Sequence, residues 1–400
     1  MSLTVEQLEK YADVLLWGVK TARQTPFRRG NIVLLQYDLA ALPLAEILFA
    51  RIIDLGLNPI QRMTMTSAME KIFYARSDAR QLAFLSPGDK PTYKRLDGRI
   101  FLHAPDSLTH LADVDPQNIA RAVVARKPLR ELMDKREQKK LHGWTLCLLP
   151  TAELAAQAQM SREEYTAQIV KACYLDHADP VSKWQEIYGE ITVIKEWLNA
   201  MNVKTFHVDS EHTDIEITPG ASRRWLGVSG HNIPSFELFL SPDWRGTKGV
   251  FYANQPSYRH GNYVAGVRLF FEEGRVVKAE VEQGEEFTKE QIAMDEGAGR
   301  VGEFSLTDRR FSRIDRFMAD TLFDENYGGD QGNCHIALGS SYGDTFSGDA
   351  AALDEAMKKT LGFNESALHW DLVNTEQKVV TAVLTTGERK VIYEDGMFRY

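Results

Sequence analysis

His369 and Asp371 stand two residues apart in the stretch NESALHWDLV, Asn364 to Val373, among mostly apolar neighbours. At that spacing two side chains leave a strand from the same face, so an imidazole and a carboxylate would sit side by side, as a pair of metal ligands does. The same pair is also compatible with a solvated polar face whose Trp370 is turned into the core. His335, in NCHIALGSSYGDTF, lies in a small apolar segment that reads as a buried strand ending at Gly339. It is either a hydrogen-bonded core histidine or a second ligand. Cys334 beside it would face the other way, as a buried thiol and not a co-ligand.

Two carboxylates have comparably apolar surroundings. Glu237, in NIPSFELFLSPD, follows a proline-marked turn, and Glu303, in GAGRVGEFSL, follows a glycine-rich loop and precedes Phe304. A surface position would satisfy either one, but a carboxylate carried toward an apolar interior requires a cation. Together Glu237, Glu303, His335, His369 and Asp371 make three carboxylates and two imidazoles. That mixture suits Zn²⁺, Mn²⁺ or Co²⁺ and lacks the thiolates of a structural zinc site. Five ligands exceed what one tetrahedral ion needs. They suit two divalent metal ions per chain, roughly 3.5–4 Å apart and bridged by a carboxylate and a water, as in two-metal hydrolases.

The elements that must position these residues fall into two halves. The segment from Asn31 to Tyr37 reads as a buried strand; a helix follows with Pro43 in its first turn and Gly56 past its end, and then another strand, a βαβ unit. Apolar runs RIFLHA (Arg99 to Ala104) and WTLCLLP (Trp144 to Pro150) alternate with helical patterns. This predicts an α/β N-terminal domain with a doubly wound, mostly parallel sheet. No G-x-G-x-x-G follows the first strand and no P-loop is present, so no nucleotide cofactor is indicated. From Thr151 to about Asn202 the pattern is helical, with a capping box at Ser161 and Glu164. Beyond Lys204 short alternating strands punctuated by glycine predict an α+β, β-rich C-terminal metal-binding domain, with helical stretches at RRFSRIDRFMADTLF and AALDEAMKKTL. The domains are read as 1–203, including a helical bridge, and 204–400.

Composition narrows the function classes. The chain has 400 residues, 44% hydrophobic and 26% charged, the mixture of a soluble globular protein. Its 47 basic and 56 acidic residues give a net charge of -9 without a long basic block, which argues against nucleic acid as a partner. Cys147, Cys173 and Cys334 are odd in number and far apart, which suits a reducing, cytoplasmic setting. The opening MSLTVEQLEKYADVLLWGVK lacks the features of a signal peptide. Thr4 and Gln7 make a capping box ahead of Leu8, Tyr11, Leu15 and Val19 at helical spacing. No window is apolar for long enough to span a membrane.

The motifs NIPSFELFLSP, DEGAGRVGEFSL, GNCHIALGSSY and SALHWD, in this order, resemble those of the bacterial metallo-aminopeptidases typified by aminopeptidase T and aminopeptidase S. The similarity continues through LPLAEILFARIIDLGL and MSREEYTAQIVKACYLDHADPVSKW, over nearly the whole chain. The resemblance implies that Glu237, Glu303, His335, His369 and Asp371 are metal ligands and that Tyr342 is the active-site tyrosine. Glu325, in FDENYGG, would correspond to a further family acid, a spare ligand or proton relay, although the loop length there differs. The family usually has glycine before the first glutamate, where this chain has Phe236, a change that would narrow the pocket or shift substrate preference. The implied protein is a homodimer that removes N-terminal residues from peptides with a free amine. Glu303 would bridge the metals and Tyr342 would stabilise the oxyanion or serve as a ligand. The reading from another class is a non-enzymatic protein that binds a small ligand or mediates assembly; an inactive peptidase relative is a third.

Overall fold

A computed structural model describes residues 3–349 and 352–400. The chain forms two compact units. One comprises Met1–Tyr188, Val228–Ser235 and Met318–Leu322; the other comprises Gly189–Gly227, Phe236–Phe317 and Phe323–Tyr400.

The first unit is built on a five-stranded parallel sheet. Its strand order is Asn58–Met63, Ile32–Tyr37, Gly98–His103, Gly143–Leu148 and Asn232–Ile233. The chain leaves the Ile32–Tyr37 strand to one side and returns on the other, the connectivity of a doubly wound sheet. The capping box of the Val5–Arg23 helix forms as the sequence indicates, with Thr4 and Gln7 each satisfying the other's backbone N–H. The helix lies close on the sheet because two glycines permit it. A Cβ on Gly143 would come within 2.5 Å of the Arg23 nitrogen, and one on Gly18 within 2.8 Å of the Gly230 carbonyl. The Tyr11 hydroxyl then donates to the Leu148 carbonyl at 3.1 Å, so the buried ring keeps its polar end satisfied. The stretch read as helical from Thr151 to about Asn202 forms the helices Ala152–Gln157, Arg162–Ala172 and Pro180–Asn199, and Ser161 and Glu164 form their capping box.

The second unit carries two antiparallel sheets. In the larger, of nine strands, Val203–Ser210 pairs with Asp214–Ile217 and Lys378–Leu384, and Asn262–Glu272 pairs with Lys248–Ala253 and Arg275–Gln283. The smaller has the order His369–Asn374, Asn333–Gly339, Val301–Thr307, Glu237–Leu240 and Leu226–Gly227. One face of the smaller sheet is apolar. The Phe304 ring lies 5.7 Å, between centroids, from both Phe206 (tilted) and Trp225 (edge-on), and Leu238, Leu306, Ile336 and Trp370 are buried with it. The other face carries the polar side chains described below.

The helix expected over 309–323 does not form: only Thr321–Asp324 is helical. Short polar side chains offer the backbone other partners there. Asp308 accepts from the Arg310 and Phe398 N–H groups at 2.9 Å each, and the Ser312 hydroxyl donates to the Asn326 carbonyl, which holds the segment in turns. The second expected stretch is a helix over Glu355–Leu361, capped by Asp354 and ended by Gly362 at φ 73°; Ala351 lies outside the described residues.

Candidate metal centre

Register decides which side chains meet. In the smaller sheet of the second unit Glu303 lies opposite Ala337, which lies opposite Asp371; Ser305 lies opposite His335, and Gly339 opposite His369. On the far side Thr307 faces Glu237. Directly opposed residues of antiparallel strands share a face, so Glu237, Glu303, His335, His369 and Asp371 all project from one side of one sheet. The residues between them are small. Ser305, Ala337 and Gly339 leave space where larger side chains would fill it. Gly302 is required for a related reason, since a Cβ there would come within 2.4 Å of the Gly339 and Ser340 carbonyls.

The donors form two groups that share one residue. Glu237, Glu303 and His335 make the first, and Glu303, His369 and Asp371 the second. The His335 Nε2 lies 3.2 Å from a Glu237 oxygen and 3.4 Å from Glu303 Oε1. The His369 Nε2 lies 3.5 Å from Glu303 Oε2 and 3.5 Å from Asp371 Oδ1. Each oxygen of Glu303 is thus addressed to a different imidazole. Ligands about 2.1 Å from a common ion stand about 3.4 Å from one another in a tetrahedral shell, the separation seen here.

The surroundings orient the donors. His369 Nδ1–H donates to the Ser340 carbonyl at 2.9 Å, which leaves the Nε2 lone pair facing Glu303 and Asp371. The Ser305 hydroxyl donates to Glu237 at 2.9 Å. The Phe236 N–H donates to the Asn326 side-chain oxygen at 2.6 Å, tying the segment before Glu237 to the residue after Glu325; the Phe236 ring is buried. The Glu325 backbone carbonyl accepts from Asn333 at 2.9 Å and Thr307 at 3.2 Å. The Tyr342 ring packs edge-on against His369, 4.8 Å between centroids.

Burial and the crowding of like charges set the ionisation of these groups. Burial, opposed by the hydrogen bond from His335 and reinforced by the charge of Glu237, pushes Glu303 up to about 7. Burial and the charges of Glu237 and Asp371 push Glu325 well above the carboxylate range. For His335, burial works against the charged ring, but its hydrogen bonds to Glu237 and Glu303 outweigh that and raise it well above the usual value. For His369 burial is likewise outweighed, here by Asp371. Asp371 itself is held at about 2, burial being overcome by the charge and hydrogen bond of His369. Burial and the surrounding carboxylates raise Tyr342 well above 10, so its phenol keeps its proton.

The donor set calls for a cation. Glu237, Glu303 and Glu325 are buried and Asp371 is mostly so, around two imidazoles, and the His335 Nδ1 is a buried nitrogen with no hydrogen-bond partner among the described residues. The residues therefore fit divalent ions. Ion binding needs neutral imidazoles and ionised carboxylates, so the protons held on His335, His369, Glu303 and Glu325 must leave. Loading near pH 7 is expected to release protons, more than one per chain because at least Glu325 and His335 are raised well above their usual values, measured by calorimetry in buffers of different protonation enthalpy. Uptake of ions with no proton release would contradict these ionisation states.

A third group, Glu211, His212 and Glu376, is more exposed. Glu376 already accepts from Ser210, Asn374 and the His212 backbone and ring, which accounts for it as a surface polar network.

All five ligands expected from the sequence meet in this centre, and Glu325 and Tyr342 join them through the charges that act on one another. The sequence reading missed Ser305, Asn326 and the Ser340 carbonyl. Ser305 had a signal, the alternation of Glu303, Ser305 and Thr307 with Phe304 and Leu306. The other two had none, because nothing local marks a carbonyl or an amide that becomes a partner only through the fold.

Known proteins share this arrangement of the chain. Residues 4–398 match the family model described as thermophilic metalloprotease (M29). Aminopeptidase PepS of Streptococcus thermophilus is 24% identical over 423 residues, covering 98% of this chain and 97% of that protein. Aminopeptidase 2 of Geobacillus stearothermophilus is 28% identical over 319 residues, 75% of each. The solved structure of wild-type AmpT from Thermus thermophilus superposes with a TM-score of 0.78 at 21% identity, covering 98% of this chain and 99% of that one, a likeness of fold. With the family pattern running through nearly its whole length, the chain belongs to the thermophilic metalloprotease (M29) family and is a metal-dependent hydrolase of peptide bonds.

Proposed function

We propose that the protein is a metallo-aminopeptidase that hydrolyses the first peptide bond of substrates with a free N-terminus, using two divalent ions held by the shared-carboxylate centre. The observation that carries this reading is Glu303, whose two oxygens face two separate imidazoles at 3.4 and 3.5 Å. Glu237 and His335 with one Glu303 oxygen would hold one ion; His369 and Asp371 with the other would hold the second. When bound, such ions lower the pKa of a water and polarise the scissile carbonyl.

The chain's own groups supply the rest. Glu325, buried and electrostatically linked to Glu237, Asp371 and His335, would carry the proton: as carboxylate it would take one from the attacking water and deliver it to the departing amine. Tyr342, whose ring packs against His369, would donate toward the oxygen on which negative charge develops. The surrounding carboxylates favour a substrate ammonium. Glu303 would be the ligand shared between the ions, which would be zinc, cobalt or manganese, the metals that suit a carboxylate and imidazole set. The protein would act in the cytoplasm as a homodimer. Among the described residues no helix is long and apolar enough to cross a membrane.

The expected outcome is that acetylating the N-terminus of a good peptide substrate lowers kcat/KM by about 10³-fold or more, because it removes the cation that the acidic centre receives. Turnover of free and acetylated peptide, followed by chromatography, checks it. Equal rates on the two would move the protein to another class of amidase.

A further inference from the structure

The ligand-bearing face of the smaller sheet carries apolar side chains as well as donors. Phe239 lies directly opposite Ser305, which lies opposite His335, and Leu226 lies opposite Phe239. Directly opposed residues share a face, so Phe239 and Leu226 project from the same side of the sheet as the five donors. Phe239 follows Glu237 by two residues, about 7 Å along the strand. Ring contacts agree with the register. The Phe239 ring packs edge-on against Tyr342, 5.7 Å between centroids, and Tyr342 packs in turn against His369. The Tyr342 N–H donates to the Ser241 hydroxyl at 2.8 Å, two residues beyond Phe239, so both rings are anchored at the same strand end.

Burial separates the deep part of this face from its open part. Glu237, Glu303 and His335 are buried, whereas Leu226, Phe239, Tyr342, His369 and Asp371 keep some of their surface exposed. A substrate therefore reaches the donors on the side where Phe239 and Tyr342 stand. The Cα of its first residue is bonded both to the amine nitrogen and to the scissile carbonyl carbon. With those two groups at the centre, the first side chain leaves from beside the donors whichever way the peptide lies, while the second residue leads the chain away. Ser305, Ala337 and Gly339 are too small to meet that side chain, but the partly uncovered Phe239 ring offers it apolar surface. Covering that surface with a leucine side chain removes apolar area from water; a glycine covers none, and a charged side chain would lose hydration there.

We propose that Phe239, with Leu226 beside it, receives the side chain of the substrate's N-terminal residue and so makes this centre selective for peptides that begin with a large apolar residue. The inference rests on the aminopeptidase reading above and adds the substrate class and a residue that sets it.

The test compares the tripeptides Leu-Ala-Ala, Gly-Ala-Ala and Ala-Leu-Ala on the metal-loaded enzyme, in the wild type, Phe239→Ala and Phe239→Leu. Wild type is expected to favour N-terminal leucine over glycine in kcat/KM by about 10–100-fold, the range of one buried apolar side chain. In Phe239→Ala that ratio should fall by about tenfold, through the leucine substrate, and Phe239→Leu should keep part of it. A role confined to propping Tyr342 would slow both substrates alike and leave their ratio unchanged, which would overturn the inference. Equal wild-type rates on leucine and glycine, or a preference that follows leucine to the second position, would overturn it while leaving the peptidase reading in place; turnover of none of the three would remove both. The wild-type comparison needs no variant to fold.

Discussion

His335→Ala is expected to lower peptide hydrolysis on the order of 10³-fold or more, the largest effect of any single substitution in the chain. His335 is 1% exposed and stands between Glu237 and Glu303, and a water entering the space left by its ring would be a weaker and less fixed donor than the imidazole. Removing it deprives the first donor group of its only imidazole and leaves two buried carboxylates facing each other. The loss should appear in kcat at saturating substrate, since the ring positions an ion and touches no part of the peptide. Circular dichroism and a melting curve establish that the variant is folded. Asp371→Asn, which keeps the shape of its side chain, provides a second case should the alanine variant be unstable. Activity within about tenfold of wild type in a folded His335→Ala protein would remove this side chain from the centre.

Chelation is expected to abolish turnover and to lower the melting temperature by roughly 5–10 °C, the value of an ion present at about a hundred times its Kd. Re-addition of Zn²⁺, Co²⁺ or Mn²⁺ should restore both. The size of the thermal effect should depend on pH in a fixed direction. Glu303, Glu325, His335 and His369 all have folded-state values raised above their ordinary ones. Each then contributes to the ion-free fold at low pH, and the contribution is lost as pH rises through the folded value. Asp371, held at about 2, has the opposite sign but acts only below the ordinary carboxylate range. Ions displace the same protons and gain affinity over the same interval. The gap between loaded and ion-free melting temperatures should therefore widen from about pH 5 to about pH 8. A gap that is constant or narrows would contradict the assigned ionisation states.

Much of this centre was legible in the sequence because strands have a period of two. His369 and Asp371 advertise a shared face, and Glu303 in VGEFSLT sits in a run whose other members alternate polar and apolar. What the sequence does not contain is register. That Ala337 lies opposite both Glu303 and Asp371 is fixed by pairing across three strands, with an irregularity between Val301 and Glu303 that local pattern does not reveal. The βαβ unit and the helix caps at Thr4 and Ser161 were readable because capping and periodicity are local. The segment 309–323 misled for a local reason too: its apolar spacing suits a helix, but Asp308 and Ser312 bond to nearby backbone and hold it in turns.

The most direct measurement is the metal content of the purified chain after loading and desalting, by elemental analysis, in the wild type and in Glu303→Gln. Two tightly held divalent ions per chain in the wild type, with at least one lost when the shared carboxylate is neutralised, is the predicted result. A chain that retains no ion, or one whose ion content is indifferent to Glu303, would contradict the account.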